Sequence, residues 1–478
     1  MGRIVLLGLD GSSLDIIKPL VEQYNLENFR TVLDNGLAGP LESVIPYVSP
    51  PGWASIFSGV NPGKHGCFDL FNFNGLATHV TNMRESNTPF LWDRLSKSQL
   101  RVIVLGMPFT HPATKVNGIF VTGYPTPIST HPRDLGSRLK SEGYTIDVPK
   151  MNNGTGSNRE IWVEKIISLF KTRMNTSLKI MDDETWDAFI LVDNITDMAQ
   201  HLVLADQELI GKVYAEVDIL LGHLLRRLRN DDLIMIVSDH GCRSAARSFV
   251  LNQWLWENGF LTPKKSMMKG FYKRASSNFD ELLNNRAVKE SFSGKTRSFT
   301  KSFIGLVAPF ILSSLFEKST KAFSIGTNEA VAWIKVLPKD ADEKKRITSD
   351  IKSKLKKLKS KEGDLIFKSV LEPSDAYHGP MVESAPGDLL VESSDGLLIT
   401  NWGDSNDEFF SAPPTAREGI HSSSGVFVAY GRGIPRGNVS ANVCDITPTI
   451  LKYFGLDVPN DIDGNPIDAL SNGRSDVT

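Results

Sequence analysis

Apolar, β-branched runs recur along the chain between longer stretches whose apolar positions repeat at i, i+3 and i+4. Arg3–Leu9, Arg101–Gly106, Gly118–Thr122, Ala188–Asp193, Leu233–Ser238, Ala330–Leu337 and Val426–Tyr430 are predicted strands, apolar on both faces. Phe90–Ser98, Arg159–Met181, Ala199–Arg229 and Ala341–Lys359 carry the helical spacing. A strand with no polar side must be covered twice. The pattern therefore predicts an α/β fold, a mostly parallel central sheet with helices on both faces. In such sheets ligands gather beyond the carboxyl ends of the strands.

The residues at those ends are chemically distinctive. Asp10-Gly11 follows the first strand, Asp197 and His201 follow Ala188–Asp193, and Ser238-Asp239-His240-Gly241 closes another. Each has an ordinary structural reading. Asp-Gly is a common turn, and Asp197 with His201 has the spacing of a solvated helical pair. Delivery of all of them to one sheet edge makes them candidates for a shared site. Ser49-Pro50 reads as a helix N-cap with proline at the first helical position. A hydroxyl there lies at the positive end of a helix, where an alkoxide or a phosphate is favoured; a plain cap is the alternative. Gly59 to His65 has the glycine spacing of no Walker loop, with His65 where a Ser or Thr must hold magnesium. No Gly-x-Ser-x-Gly elbow surrounds Ser49.

Charge alters the picture at one place. Over the 478 residues, 53 basic and 55 acidic side chains nearly balance, which argues against a nucleic-acid polymer as partner. Between Lys264 and Lys321, however, twelve basic residues face four acidic ones. This segment reads as an insertion. Its later part, residues 299–318, interleaves aromatic and aliphatic residues with lysine, a composition suited to a buried lid face or to peripheral contact with an anionic membrane. The longest apolar run, Phe303–Leu312, is too short for a transmembrane span, and Ile4–Leu9 is too short for a signal-peptide core. Three scattered cysteines give neither a disulfide framework nor a thiolate zinc site, so a reducing, cytoplasmic location is expected.

Taken in order, these motifs resemble the alkaline phosphatase superfamily and, within it, its nucleotide pyrophosphatase/phosphodiesterase-like branch. There a Thr or Ser nucleophile is followed by Gly at +10, Pro at +13 and His-Gly at +16 and +17; Ser49 is followed by Gly59, Pro62, His65 and Gly66. The resemblance implies an alkaline-phosphatase-like three-layer sandwich built from residues 1–263 and 322–478, with 264–321 as a basic lid or surface-contact subdomain. It implies two divalent ions, Zn2+ or Mn2+. Asp10, Ser49, Asp239 and His240 would hold one; Asp197, His201 and a histidine ahead of Val426–Tyr430 would hold the other. His421 is preferred over His378 for that last place. Ser49 would attack a phosphodiester and pass through a phosphoserine intermediate.

Departures from the family pattern bear on the substrate. The nucleotide-hydrolysing enzymes commonly have an asparagine on the nucleophile's helix to hold a phosphate oxygen; here Gly52 and Trp53 stand near Ser49 and are the expected substrate-binding residues. A sulfatase needs arginine at the position of Trp53. The expected substrate is a small-molecule or lipid-linked phosphate ester. A phosphomonoesterase, a phosphotransferase resembling cofactor-independent phosphoglycerate mutase, and a non-catalytic phospho-ligand-binding protein are the alternatives.

Overall fold

Five parallel strands form the middle of the main sheet, in the order Leu233–Val237, Ile4–Leu9, Ala188–Asp193, Val102–Met107 and Gly118–Thr122. Ser424–Gly431 extends it antiparallel to Leu233–Val237, and Leu37–Glu42 lies beyond. The computed structural model describes residues 2–74, 77–146, 157–264, 316–325, 329–401, 409–411 and 417–471. Leu9 stands opposite Asp193 and Gly8 opposite Val237, so three carboxyl ends are level. Because Ser424–Gly431 runs the other way, the residues just before it arrive at that same edge.

Alternation along the first strand separates the layers, since successive side chains point to opposite faces. Val5, Leu7 and Leu9 pack with the helices Leu14–Tyr24, Ser157–Asp183, Ile195–Val203 and Gln207–Leu225. Ile4 and Leu6 pack with Ser49–Ser58, Leu91–Lys97 and Ile446–Tyr453 on the other side. Gly8 is required by close approach, because a Cβ there would lie 2.7 Å from the Trp53 ring. The three layers are the predicted sandwich.

Several expectations change in detail. The helix expected over Ala199–Arg229 is two helices, Ile195–Val203 and Gln207–Leu225. Asp206 starts the second by accepting the Leu209 N–H at 3.1 Å. The apolar spacing runs through the break, so periodicity alone does not reveal it. Ala330–Leu337 is not in the main sheet. Its strand, Val331–Val336, belongs to a second, fully antiparallel sheet with Ala322–Ile325, Phe367–Leu371 and Leu389–Ser393. It is buried nearly throughout, in a core that includes Ile347, Ile351 and Leu355 of the helix Ala341–Leu355. A two-sided apolar run looks alike in either kind of sheet.

Between Ser49 and Asp197 the described residues contain the hairpin Phe71–Asn74/Ala77–Val80 and main-sheet strands, with no second inserted sheet domain of the mutase kind. Most of the basic insertion, and with it the lid and membrane-contact expectations, lies outside the described residues. Its ends meet: Pro263 and Phe316 form an antiparallel bridge, and the Glu317 N–H donates to the Thr262 carbonyl at 2.9 Å. Among the described residues no helix is long and apolar enough to cross a membrane.

Candidate active site

Short polar stitches hold the strand-end loops together. The Thr196 hydroxyl donates to the Asp10 carbonyl at 2.6 Å, and the Ser12 N–H donates to Ser238 Oγ at 2.9 Å. Ser238 Oγ in turn donates to the His240 carbonyl at 2.7 Å, and Ser43 Oγ to the Asp239 carbonyl at 2.5 Å. Gly11, at φ +71°, turns its N–H toward Asp239 Oδ1 at 3.4 Å. These bonds fix Asp10, Asp197, Asp239 and His240 relative to one another before any ligand is considered.

Ser49 arrives from the opposite helical layer. Val48, not Ser49, occupies the cap position; Ser49 is the first helical residue, ahead of Pro50 and Pro51. Its hydroxyl is therefore free of capping and lies 3.4 Å from Asp10 Oδ1 and 3.5 Å from His240 Nε2. Gly52 makes this approach feasible. A Cβ at that position would fall 2.8 Å from the Asp239 Cβ and 2.9 Å from its carbonyl oxygen.

Two clusters of potential metal ligands result, sharing Asp197. In the first, Asp197 Oδ1 is 3.2 Å from His201 Nε2 and 3.3 Å from His421 Nε2, and the two imidazole nitrogens are 3.1 Å apart. In the second, made by Asp10, Asp197 and His240, His240 Nε2 is 3.4 Å from Asp10 Oδ1; Asp239 stands beside this cluster, its Oδ2 also 3.4 Å from His240 Nε2. His421 reaches the site on Gly419–Ser422, a short strand paired with Gly241–Ser244 in which it stands opposite Cys242.

The protonation pattern identifies what this cage fits. His201 Nδ1 lies 2.9 Å from the Gly419 carbonyl and His240 Nδ1 3.0 Å from the Gly241 carbonyl. A carbonyl only accepts, so each Nδ1 carries the proton and each Nε2 turns a lone pair toward the carboxylates. Burial lowers His240 to about 3 and both His201 and His421 to about 4, leaving all three neutral near pH 7. Burial and the neighbouring carboxylates push Asp10 and Asp239 well above the usual range, whereas the His201 and His421 contacts hold Asp197 low against its burial. Asp197 Oδ1 and Asp239 Oδ2 are buried without a hydrogen-bond donor. Buried acceptors facing acceptors are stable when cations lie between them, and nitrogen plus carboxylate donors suit zinc or manganese.

Other sequence-selected residues fall elsewhere. Trp53 is fully buried and does not line the cavity; its Nε1–H donates to Asp10 Oδ2 at 3.1 Å. The expectation that it binds substrate is corrected, because its ring is packed onto the first strand at Gly8, beneath Asp10, and not toward the cavity. Gly52 likewise spaces the helix from Asp239, and its N–H is committed to the Val48 carbonyl at 3.2 Å. His65 of the spacing motif bonds Ser55 Oγ at 3.0 Å and accepts the Cys67 N–H, a brace behind the site. His378 is exposed beside Asp463, 3.0 Å away, and is not part of either cluster.

Sequence reasoning missed Glu329, Arg417 and Arg173. All three line a cavity of about 290 Å³ that contains Asp10, Ser49, Asp197, His201 and His421. Arg173 forms a buried two-pronged pair with Asp193, at 2.7 and 2.9 Å. Leu70, Phe71, Val80, Phe109, Tyr124 and Tyr144 supply apolar and aromatic wall. Arg173 sits within a long amphipathic helix and Glu329 just ahead of a strand, positions that advertise nothing.

A family model described as Type I phosphodiesterase / nucleotide pyrophosphatase matches residues 4–412. Comparison with curated protein sequences returns no match. Among solved structures the chain is similar to mouse ectonucleotide pyrophosphatase/phosphodiesterase 5, at 12% identity and a TM-score of 0.53, with 96% of each chain covered. An inactive variant of that mouse protein, solved in complex with AMP, matches with the same values. At this identity the likeness is one of fold.

Proposed function

Because this chain belongs to the type I phosphodiesterase/nucleotide pyrophosphatase family of the alkaline phosphatase superfamily, and is thereby a phosphodiester hydrolase, we propose that it works through Ser49 and a pair of divalent cations. The observation that carries this reading is the convergence of Ser49 Oγ, Asp10 and His240 within 3.5 Å beside the Asp197–His201–His421 cluster. Asp10, Asp239 and His240, with Ser49, would hold one cation; Asp197, His201 and His421 would hold the other. When bound, such cations supply positive charge to the attacking and leaving oxygens and favour the ionised hydroxyl.

The chain's own groups account for the rest. Ser49 Oγ attacks phosphorus in line, the bond from phosphorus to the leaving alcohol's oxygen breaks, and the hydroxyl's proton ends on that departing oxygen. The product of this step is a phosphoryl ester on Ser49. Water then attacks that phosphorus, restoring the hydroxyl and releasing the phosphomonoester. Trp53 and the Gly241 carbonyl orient Asp10 and His240, and the burial of these two residues strengthens their charge interactions.

A nucleotide-related small molecule fits the cavity best. Phe71, Phe109, Tyr124 and Tyr144 are among the cavity's lining residues, a composition suited to an aromatic alcohol portion. The AMP complex of the mouse protein supports the same class of ligand. With zinc or manganese added, purified protein is expected to cleave bis-p-nitrophenyl phosphate and p-nitrophenyl esters of nucleoside 5′-phosphates faster than p-nitrophenyl phosphate. Chelation should abolish this activity and metal should restore it. Equal or greater turnover of the monoester would indicate a phosphatase, and full activity in chelator would exclude the metal-dependent reading.

A further inference from the structure

We propose that Glu329 and Arg417 form a positioning pair that sets the spacing of His201 and His421, and hence the affinity of that half of the site for its cation. This rests on the functional reading above and adds residues that no motif assigns. Glu329 comes from the second sheet, on the approach to Val331–Val336, whereas the proposed ligands come from the main sheet's edge and the short strand Gly419–Ser422.

Four contacts carry the inference. Glu329 is 3% exposed, and its Oε2 accepts the backbone N–H of His421 at 2.9 Å. Its Oε1 forms an ion pair with Arg417 and lies 3.7 Å from His421 Nε2. The Arg417 Nε–H donates to the Gly419 carbonyl at 3.3 Å. That carbonyl also accepts the Nδ1 proton of His201 at 2.9 Å. One ion pair thus reaches both imidazoles: through the backbone of His421 on one side, and through the shared Gly419 carbonyl on the other.

The arrangement has a chemical reason. Each imidazole can present its Nε2 lone pair only if ring and backbone are held, and the partners that do so tune ligand strength almost as much as the ligands themselves. A lone carboxylate beside Asp197 would add repulsion, and a lone guanidinium would compete with a cation. Paired, they bring direction without net charge.

Zinc uptake by the full-length protein, followed by calorimetry and by the visible absorption of cobalt(II) as a replacement ion, tests this without reference to turnover. Wild type is expected to take up two ions per chain. Glu329→Gln keeps an acceptor for the His421 N–H but breaks the charge pair, and should weaken one ion by about 10–100-fold while the other binds as before. Arg417→Lys keeps the charge but loses the Nε–H, and should weaken the same ion less. If Glu329→Gln does not fold, Arg417→Lys alone decides. Wild type that binds no zinc would remove the functional reading itself. Wild type with two ions, and variants that match it in both affinity and cobalt spectrum, would overturn the positioning role alone.

Discussion

Trp53 donates its indole N–H to Asp10 Oδ2 at 3.1 Å, leaving Asp10 Oδ1 to face Ser49 and His240. A fully buried aromatic ring on the nucleophile's own helix therefore orients a carboxylate at the end of the first strand. This bond joins the helix to the sheet edge through side chains that the chain separates by 43 positions.

Trp53→Phe should retain most of the packing and lose that donor. A buried carboxylate oxygen without its partner costs about 1–3 kcal/mol, to be read from urea unfolding. Because Asp10 would also lose its orientation, zinc affinity should fall by about 10-fold or more, as for other groups that hold metal ligands in place. Unchanged zinc binding would show that Asp10 is held by its remaining contacts alone.

The buried pair of Arg173 with Asp193 predicts a strong asymmetry between single and double replacements. Asp193 Oδ1 also accepts the Ile195 N–H at 3.0 Å, at the start of the helix that carries Asp197 and His201. Arg173→Met should destabilise the fold by about 3–5 kcal/mol, since it leaves a buried carboxylate uncompensated. Adding Asp193→Asn should recover part of that loss. A double variant as unstable as the sum of the two singles would show that the side chains act independently.

Asp69, which is not among the proposed ligands, provides a pH test. Burial pushes its carboxyl up to about 7, despite the Leu70 N–H it accepts at 2.6 Å. An unfolded aspartate releases its proton near pH 4. Between about pH 4 and 7 the unfolded chain loses this proton while the folded chain keeps it, so stability falls as pH rises through that window and then levels off. Asp69→Asn removes the titration and keeps an acceptor. Its stability relative to wild type should therefore climb from pH 4 to 7, by at most roughly 4 kcal/mol. A difference that stays flat across this range would place Asp69's proton release near that of an exposed aspartate.

Much of the site was legible because strand ends are legible. Asp10, Asp197, Asp239 and His240 follow runs whose apolar character marks buried parallel strands, and such strands deliver their next residues to one edge. His421 needed the family resemblance, since it precedes an antiparallel strand whose direction the apolar pattern does not encode. Trp53 was misread through proximity: the helix turns position i+4 under Ser49, toward the sheet and away from the cavity. Glu329 and Arg417 were invisible for a different reason. Glu329 joins the site from the approach to the second sheet and Arg417 from the approach to Gly419–Ser422, and no local spacing announces a contact between residues 329 and 417 or between residues 329 and 421. The break between Val203 and Gln207 was hidden by apolar spacing that continues across it.

The claim that the Ser49 hydroxyl is the attacking group stands or falls on the hydrolysis rate of bis-p-nitrophenyl phosphate by Ser49→Ala with saturating zinc or manganese. The rate should fall by at least roughly 10³-fold while the fold, judged by circular dichroism and urea unfolding, stays that of wild type. A Ser49→Ala protein that turns over the diester within about twofold of wild type would contradict the claim.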